Sequence, residues 1–447
     1  MTSTKLKNLD KENLKNIYSL DGKVPHKTAF LFGLQHVLAM FVANIAPIFI
    51  VAAASGLKET ETVFLIQTAM IFAAIGTFLQ LFPIWRLGAK MPIVTGISFT
   101  FVAVFCQIGA KYGYGSILGA VLLGGTLQLL LGLTTKYWIK LISPIVAACV
   151  VTSIGISLLP VGAQTFGGGL GTADFGSLEN LFLGSTTLLC CLLFQMTLKS
   201  DLRQLSVLFG LIIGYIIALF MGKIDFNALE NLSLLSFPHY MPFTLEFQAE
   251  AIYPILILFL VSSTETIGDV SALAEVGFNR QADLKEKSGA LACDGFVSAI
   301  SSLFGCLPIT SFSQNVGLVA MTKVINRQVI ASGACIMLLA GLVPLCGGIL
   351  ATLPNAVLGG AVIMMFGNIF VCGFRMISSC GFTNRNITIS AISLAIGIGF
   401  TQESGLFVYF PDMIQNIVTN NCVVLSFIVA ILLNSLLPQE KEKNIHL

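Results

Sequence analysis

Thr28-Ala-Phe-Leu-Phe-Gly-Leu-Gln-His-Val-Leu-Ala-Met-Phe-Val-Ala-Asn-Ile-Ala-Pro-Ile-Phe-Ile50 runs for 23 residues without a charge. A helix of about 20 residues crosses a hydrocarbon core of about 30 Å, so this stretch is long enough to span a bilayer. Apolar runs of similar length recur down the chain. They account for a composition of 55% hydrophobic and 10% charged residues in 447, where a soluble domain carries about 25% charged residues. Most of the surface must therefore face hydrocarbon, and the predicted class is an all-α integral membrane bundle.

Residues 1–27 are polar and lysine-rich, and no small-residue cleavage pattern follows the first apolar run. That run therefore reads as a first transmembrane helix rather than a signal peptide. Helices are predicted near 28–50, 62–83, 92–110, 115–133, 138–160, 180–198, 204–221, 251–272, 288–304, 314–323, 328–348, 355–373, 386–400 and 411–436, with a short tail at 438–447. The excess of Lys and Arg in cytoplasmic loops tests this count. With fourteen spans, 21 of the 24 basic residues fall on one set of alternating loops, and only Lys58, Lys111 and Lys223 fall on the other. Both termini are then expected in the cytoplasm of an inner-membrane protein.

Fourteen spans divide into seven plus seven, and an odd repeat unit must insert its second copy inverted. Met91-Pro-Ile-Val-Thr-Gly-Ile-Ser-Phe99 opens the third segment, and Leu307-Pro-Ile-Thr-Ser-Phe-Ser-Gln-Asn315 opens the third of the second half. Proline removes a backbone donor, and the β-branched and hydroxylated residues that follow favour extended chain. Non-helical backbone at membrane depth persists only where it is buried in protein or lines a watery cavity. Two such stretches in matching positions point to a midplane binding site; a proline kink in each helix is the plainer reading.

A charge at the bilayer centre costs on the order of 3 kcal/mol on insertion scales, so intramembrane acids call for a role. Glu265 and Asp269 lie four apart on one face of the eighth segment, and Asp294 lies in the ninth. Asp294 can instead simply hold helices together, and Asp269, nearer the cytoplasmic end, can be solvated or structural. In the first segment Gln35-His36 interrupts the apolar run, with Asn44 eight residues on. A buried neutral histidine and a proton relay are both open readings of His36.

The eleven cysteines are scattered, with no C-x-x-C and no metal-ligand spacing, so no metal site and no cofactor are expected. No nucleophile elbow or phosphate-cradling loop appears, and nothing indicates an enzyme or a nucleic-acid partner.

Ser313-Gln-Asn-Val-Gly-Leu-Val-Ala-Met-Thr-Lys323 resembles the signature Q/E-N-x-G-x-x-x-x-T-[R/K/G] of the nucleobase–ascorbate transporter family, through Gln314, Asn315, Gly317, Thr322 and Lys323. Gln35-His36, the Glu265–Asp269 pair, Asp294 and the fourteen-segment layout are similar to the family too. The resemblance implies a seven-plus-seven inverted repeat with short strands at the start of segments three and ten. It implies a core domain (28–133 and 251–348), a gate domain (138–221 and 355–436), homodimers formed through the gate, and an elevator movement of the core. It places Glu265 and Gln314 on the base, with Ser98, Phe99 and Ser313 offering backbone and aromatic contacts and Asn315 supporting the motif. Asp294, Asp269 and His36 match positions tied to coupling or core integrity.

Glutamine rather than glutamate at position 314 is the form seen in xanthine and urate members, and an amide offers both donors and an acceptor to a purine dione. The function the resemblance implies is purine nucleobase uptake, of xanthine or urate, coupled to protons, with sodium as the other coupling ion considered. Lys323 departs from the Gly or Arg of several xanthine and urate members, which leaves the choice of purine open. A uracil permease and an anion exchanger on the same fold are the alternatives.

Overall fold

The computed structural model describes residues 16–139, 143–169, 171–198, 200–203, 205–224, 226, 234–410, 415 and 421–438. Residues 1–15, Lys140, Lys199, part of the expected last segment and the tail from 439 lie outside the described residues.

The chain is a bundle of long apolar helices. Among the described residues seven helices are long and apolar enough to cross a membrane, or eight if one bent pair counts as a single span. The first half consists of α1 (His26–Ala54), α2 (Glu59–Leu81), β1 (Thr95–Ile97), α3 (Val102–Tyr112), α4 (Tyr114–Leu133), α5 (Pro144–Phe166), α6 (Leu178–Thr197) and α7 (Ser206–Phe220). The second consists of α8 (Ala249–Phe278), α9 (Leu284–Ser302), β2 (Ile309–Ser311), α10 (Ser313–Thr322), α11 (Arg327–Leu342), α12 (Pro344–Ala351), α13 (Asn355–Ser379), α14 (Asn384–Gln402) and α15 (Cys422–Leu436).

One prediction of segment shape changes. The stretch 328–348 was expected as one helix, but it bends by 77° between α11 and α12. Val343 is extended and Pro344 opens α12. A proline disfavours helical backbone in the residue before it and donates no hydrogen bond, so the chain restarts there in a new direction.

Two compact units divide the chain. The first comprises residues up to Thr135 together with Val161–Met365; the second comprises Lys136–Pro160 and the residues from Phe366 on. The expected segments at 180–198 and 204–221 fall in the first unit.

In the first unit, α4 and α9 approach backbone to backbone. A methyl at Gly125 would lie 2.6 Å from the Ala299 nitrogen, and one at Gly295 would lie 2.7 Å from the Gln128 carbonyl carbon. The Ser288 hydroxyl donates to Gly132 O across the same seam at 2.7 Å. Small residues are what allow this in a membrane, where close packing and hydrogen bonds drive helix association. The second unit is held at one end by Arg385, whose Nη2 donates to Asn434 O (2.7 Å) and Oδ1 (2.9 Å).

Candidate functional site

β1 and β2 pair antiparallel inside the first unit, with Thr95 opposite Ser311, Gly96 opposite Thr310 and Ile97 opposite Ile309. Ser98 N to Pro308 O (3.1 Å) and Phe312 N to Val94 O (3.0 Å) extend the ladder at both ends. A two-stranded ribbon leaves amides pointing outward from both edges, and buried amides must be satisfied. Four buried side chains do this. Thr95 N donates to Thr77 Oγ1 (3.1 Å) and Ile97 N to Asn44 Oδ1 (2.7 Å). On the other strand, Ile309 N donates to Ser298 Oγ (3.0 Å) and Ser311 N to Asp294 Oδ2 (2.8 Å). The ribbon is thus fastened to α2, α1 and α9 side by side.

Each strand runs directly into a short helix. β1 passes through one 3₁₀ turn, Phe99–Phe101, into α3, and β2 leads into α10. The two helix N-termini therefore start from opposite ends of one antiparallel ribbon. Helix N-termini carry unpaired amides and partial positive charge.

α8 brings two of its acids, Glu265 and Asp269, to these two starts. Thr100 Oγ1 donates to Glu265 Oε2 at 2.7 Å, in the turn after β1. One helical turn further along α8, Asp269 Oδ2 accepts from Ser313 Oγ at 2.9 Å, at the first residue of α10. Among the described residues only Oε2 of Glu265 takes a hydrogen bond. A methyl at Gly268 on α8 or at Gly317 on α10 would meet nothing within 4 Å.

Asp294 does something different. It is fully buried and accepts from Gln80 Nε2 (2.9 Å), Thr266 Oγ1 (2.9 Å), Ser311 N (2.8 Å) and Ser311 Oγ (2.9 Å). One carboxylate thus joins α9 to α2, α8 and β2. Gln80 is itself pinned, because its Oε1 accepts from Ala89 N (3.0 Å) and its Nε2 also reaches Ala290 O (3.1 Å).

The other predicted residues distribute as follows. Ser98 and Phe99 are buried immediately after β1. Gln314 is half-buried in the first turn of α10, and its amide has no hydrogen-bond partner among the described residues. Asn315 is buried; its Nδ2 lies 3.7 Å from Met40 Sδ while its Oδ1 is unpaired among the described residues. His36 is buried on α1 and its Nδ1 has no partner among the described residues. No hydrogen bond there joins it to Glu265, Asp269 or Asp294. Thr100, Gln80, Thr266, Thr77 and Ser298 were not singled out from sequence. Thr100 directly follows the Ser98-Phe99 pair, a signal that could have found it.

Among the described residues no group of His, Cys, Asp and Glu could hold a metal. The arrangement suits a small ligand with both donors and acceptors: it offers a carboxylate, an amide without a partner among the described residues and two helix N-termini.

Comparison with known proteins fixes the family. A model of xanthine and uric acid permeases, described as a permease family, matches residues 27–405. The chain is 34% identical to the xanthine permease XanQ of Escherichia coli over 440 residues, covering 94% of each chain. It is 34% identical to the uric acid permease PucK of Bacillus subtilis over 418 residues, covering 93% of this chain and 96% of that one. The transmembrane domain of the cyanobacterial bicarbonate transporter BicA superposes with a TM-score of 0.60 at 17% identity, over 92% of this chain and 98% of that one, and so shares the fold. With its apolar helices and this match across nearly its whole length, the chain belongs to the nucleobase–ascorbate transporter family and is a multi-pass membrane permease, not an enzyme.

Proposed function

We propose that this protein imports a purine nucleobase, xanthine or urate, through a site built where Glu265, Gln314 and the β1–β2 ribbon meet. The observation that carries the reading is the pair of hydrogen bonds donated to α8, from Thr100 to Glu265 and from Ser313 to Asp269, which set two acids against the starts of both short helices. Glu265 accepts from ring N–H groups of the base, and Gln314 takes a second edge through its amide. Ser98, Phe99 and Ser313 supply backbone groups and a ring face, and Asn315 supports the motif. The carboxylate of Glu265 would repel an inorganic anion, which favours a nucleobase over the kind of substrate a bicarbonate transporter carries. The relatives named for xanthine and uric acid support the purine class.

Import is secondary active and driven by protons. Glu265 or Asp294 takes up the proton, and Asp269 and His36 stand at positions tied to coupling or core integrity. Fourteen crossings in an inverted seven-plus-seven repeat are supported by the distribution of basic residues and by the two ribbon-led helices, one in each half. The core (28–133, 251–348) moves as an elevator against the gate (138–221, 355–436), two copies associate through their gates, and both termini face the cytoplasm of the inner membrane.

The test is uptake of radiolabelled xanthine by cells lacking their own purine permeases, with unlabelled urate, hypoxanthine, uracil and ascorbate as competitors. Uptake competed by urate and indifferent to uracil and ascorbate is the expected result. Absence of xanthine uptake, or competition by uracil alone, would overturn the purine assignment.

A further inference from the structure

The chain before α1 is fastened to the turn that follows α10. Ile17 and Val24 are buried there against Val324 and Val329. Ile325 N donates to Ile17 O (3.2 Å) and Arg327 N to Leu20 O (3.0 Å). Val24 N donates to Gln328 Oε1 at 3.0 Å, and Arg327 Nη1 lies 3.2 Å from Asp21 Oδ1.

Asn326 is the centre of this junction and is fully buried. Its Nδ2 faces three backbone carbonyls, Asn16 O (3.1 Å), Ser19 O (2.9 Å) and Gly22 O (2.7 Å). Its Oδ1 meanwhile accepts from Gln328 N (2.9 Å) and Val329 N (3.4 Å), capping α11. One side chain therefore buckles residues 16–22 and starts the next helix. Three residues earlier Lys323, at φ 59°, ends α10 and donates from Nζ to Val276 O at 3.0 Å, in the last turn of α8. The end of α10 is thus held on one side by α8 and on the other by the strap. α10 is a single ten-residue helix, so holding its end fixes the Gln314 amide at its start.

We infer that residues 16–25 form a strap which, buckled by Asn326, sets the position of α10, making Asn326 a positioning residue for substrate binding. This rests on the reading of Gln314 as a substrate contact. An unbuckled strap would let α10 shift while leaving Glu265, Thr100 and the ribbon as they are.

Asn326→Asp in the full-length protein separates the two jobs of the side chain. A carboxylate still caps α11 but has no hydrogen to give, and it faces three carbonyl oxygens. Hydrogen exchange should rise roughly tenfold or more in peptides 16–27 and 312–322, because both amide hydrogens shared among the three carbonyls are lost, while peptides carrying β1 and β2 exchange as in wild type. The KM for labelled xanthine should rise by about the same factor, with uptake at saturation close to wild type. Asn326→Ala, which also loses the cap, should be worse on every count. Unchanged exchange at 16–27 would overturn the buckle. Faster exchange at 16–27 with 312–322 and KM unchanged would overturn the positioning role. If the wild type takes up no xanthine, the purine reading alone fails, and exchange in 312–322 still decides the strap.

Discussion

Thr100 and Glu265 share a hydrogen bond of 2.7 Å between the hydroxyl after β1 and Oε2 of the acid on α8. The bond uses one carboxylate oxygen and leaves the other without a hydrogen bond among the described residues. It also fixes the rotamer of a side chain whose long stem would otherwise swing, and a fixed acceptor binds at lower entropic cost.

Thr100→Val removes that donor without changing shape. A hydrogen bond to a charged group is worth about 1.5–3 kcal/mol, which is roughly ten- to hundredfold in affinity. The KM for xanthine should rise by at least the lower figure with the amount of protein in the membrane unchanged, and Thr100→Ser should stay near wild type. Initial-rate uptake at several xanthine concentrations measures both.

Asp294→Asn should act on the fold. Its new amide must face either the two donors of Ser311 or the Nε2 of Gln80, and Gln80 cannot flip without breaking its bond from Ala89 N. Buried donors left opposed to donors cost about 1–3 kcal/mol each, so the purified variant should melt several degrees lower. A melting temperature equal to wild type would show that Asp294 does not hold the ribbon.

Two glycine substitutions should part company. A methyl at Gly96 would lie 2.8 Å from Asn44 Oδ1 and 3.0 Å from Phe312 Cδ2, so Gly96→Ala should displace Asn44 from Ile97 N and abolish uptake. Gly317→Ala meets nothing and should fold at wild-type yield. Yield and thermal stability in detergent compare them directly.

Coupling is tested in cells. A protonophore should reduce accumulation of xanthine to equilibrium with the medium, and an imposed sodium gradient in proteoliposomes should not restore it. Accumulation that survives the protonophore but follows sodium would replace the proton with sodium.

Membrane class could be read from Thr28–Ile50 and its successors, because apolar length depends only on local sequence. The composition of Pro92–Phe99 and Pro308–Ser311 likewise stood out locally. The partners of those stretches did not. Thr77, Asn44, Ser298 and Asp294 cap outward amides from three different helices, and only the register of the ribbon decides which hydroxyl or amide meets which strand residue. Thr266 and Gln80 are ordinary polar residues in apolar helices until Asp294 lies between them. Asn326 lies beyond the motif and its carbonyl partners are more than 300 residues away, so no periodicity connects them. The break at Val343–Pro344 was locally signalled by the proline but hidden by the apolar residues on either side.

The most direct test is xanthine uptake by Glu265→Gln beside wild type, at matched amounts of protein in the membrane. Gln keeps the size and the bond from Thr100 but replaces one acceptor oxygen with a donor, so two hydrogen bonds from the base to a charged group cannot both form. A loss of about a hundredfold or more in kcat/KM is predicted. Uptake equal to wild type would contradict the placement of the base at Glu265 and with it the site described here.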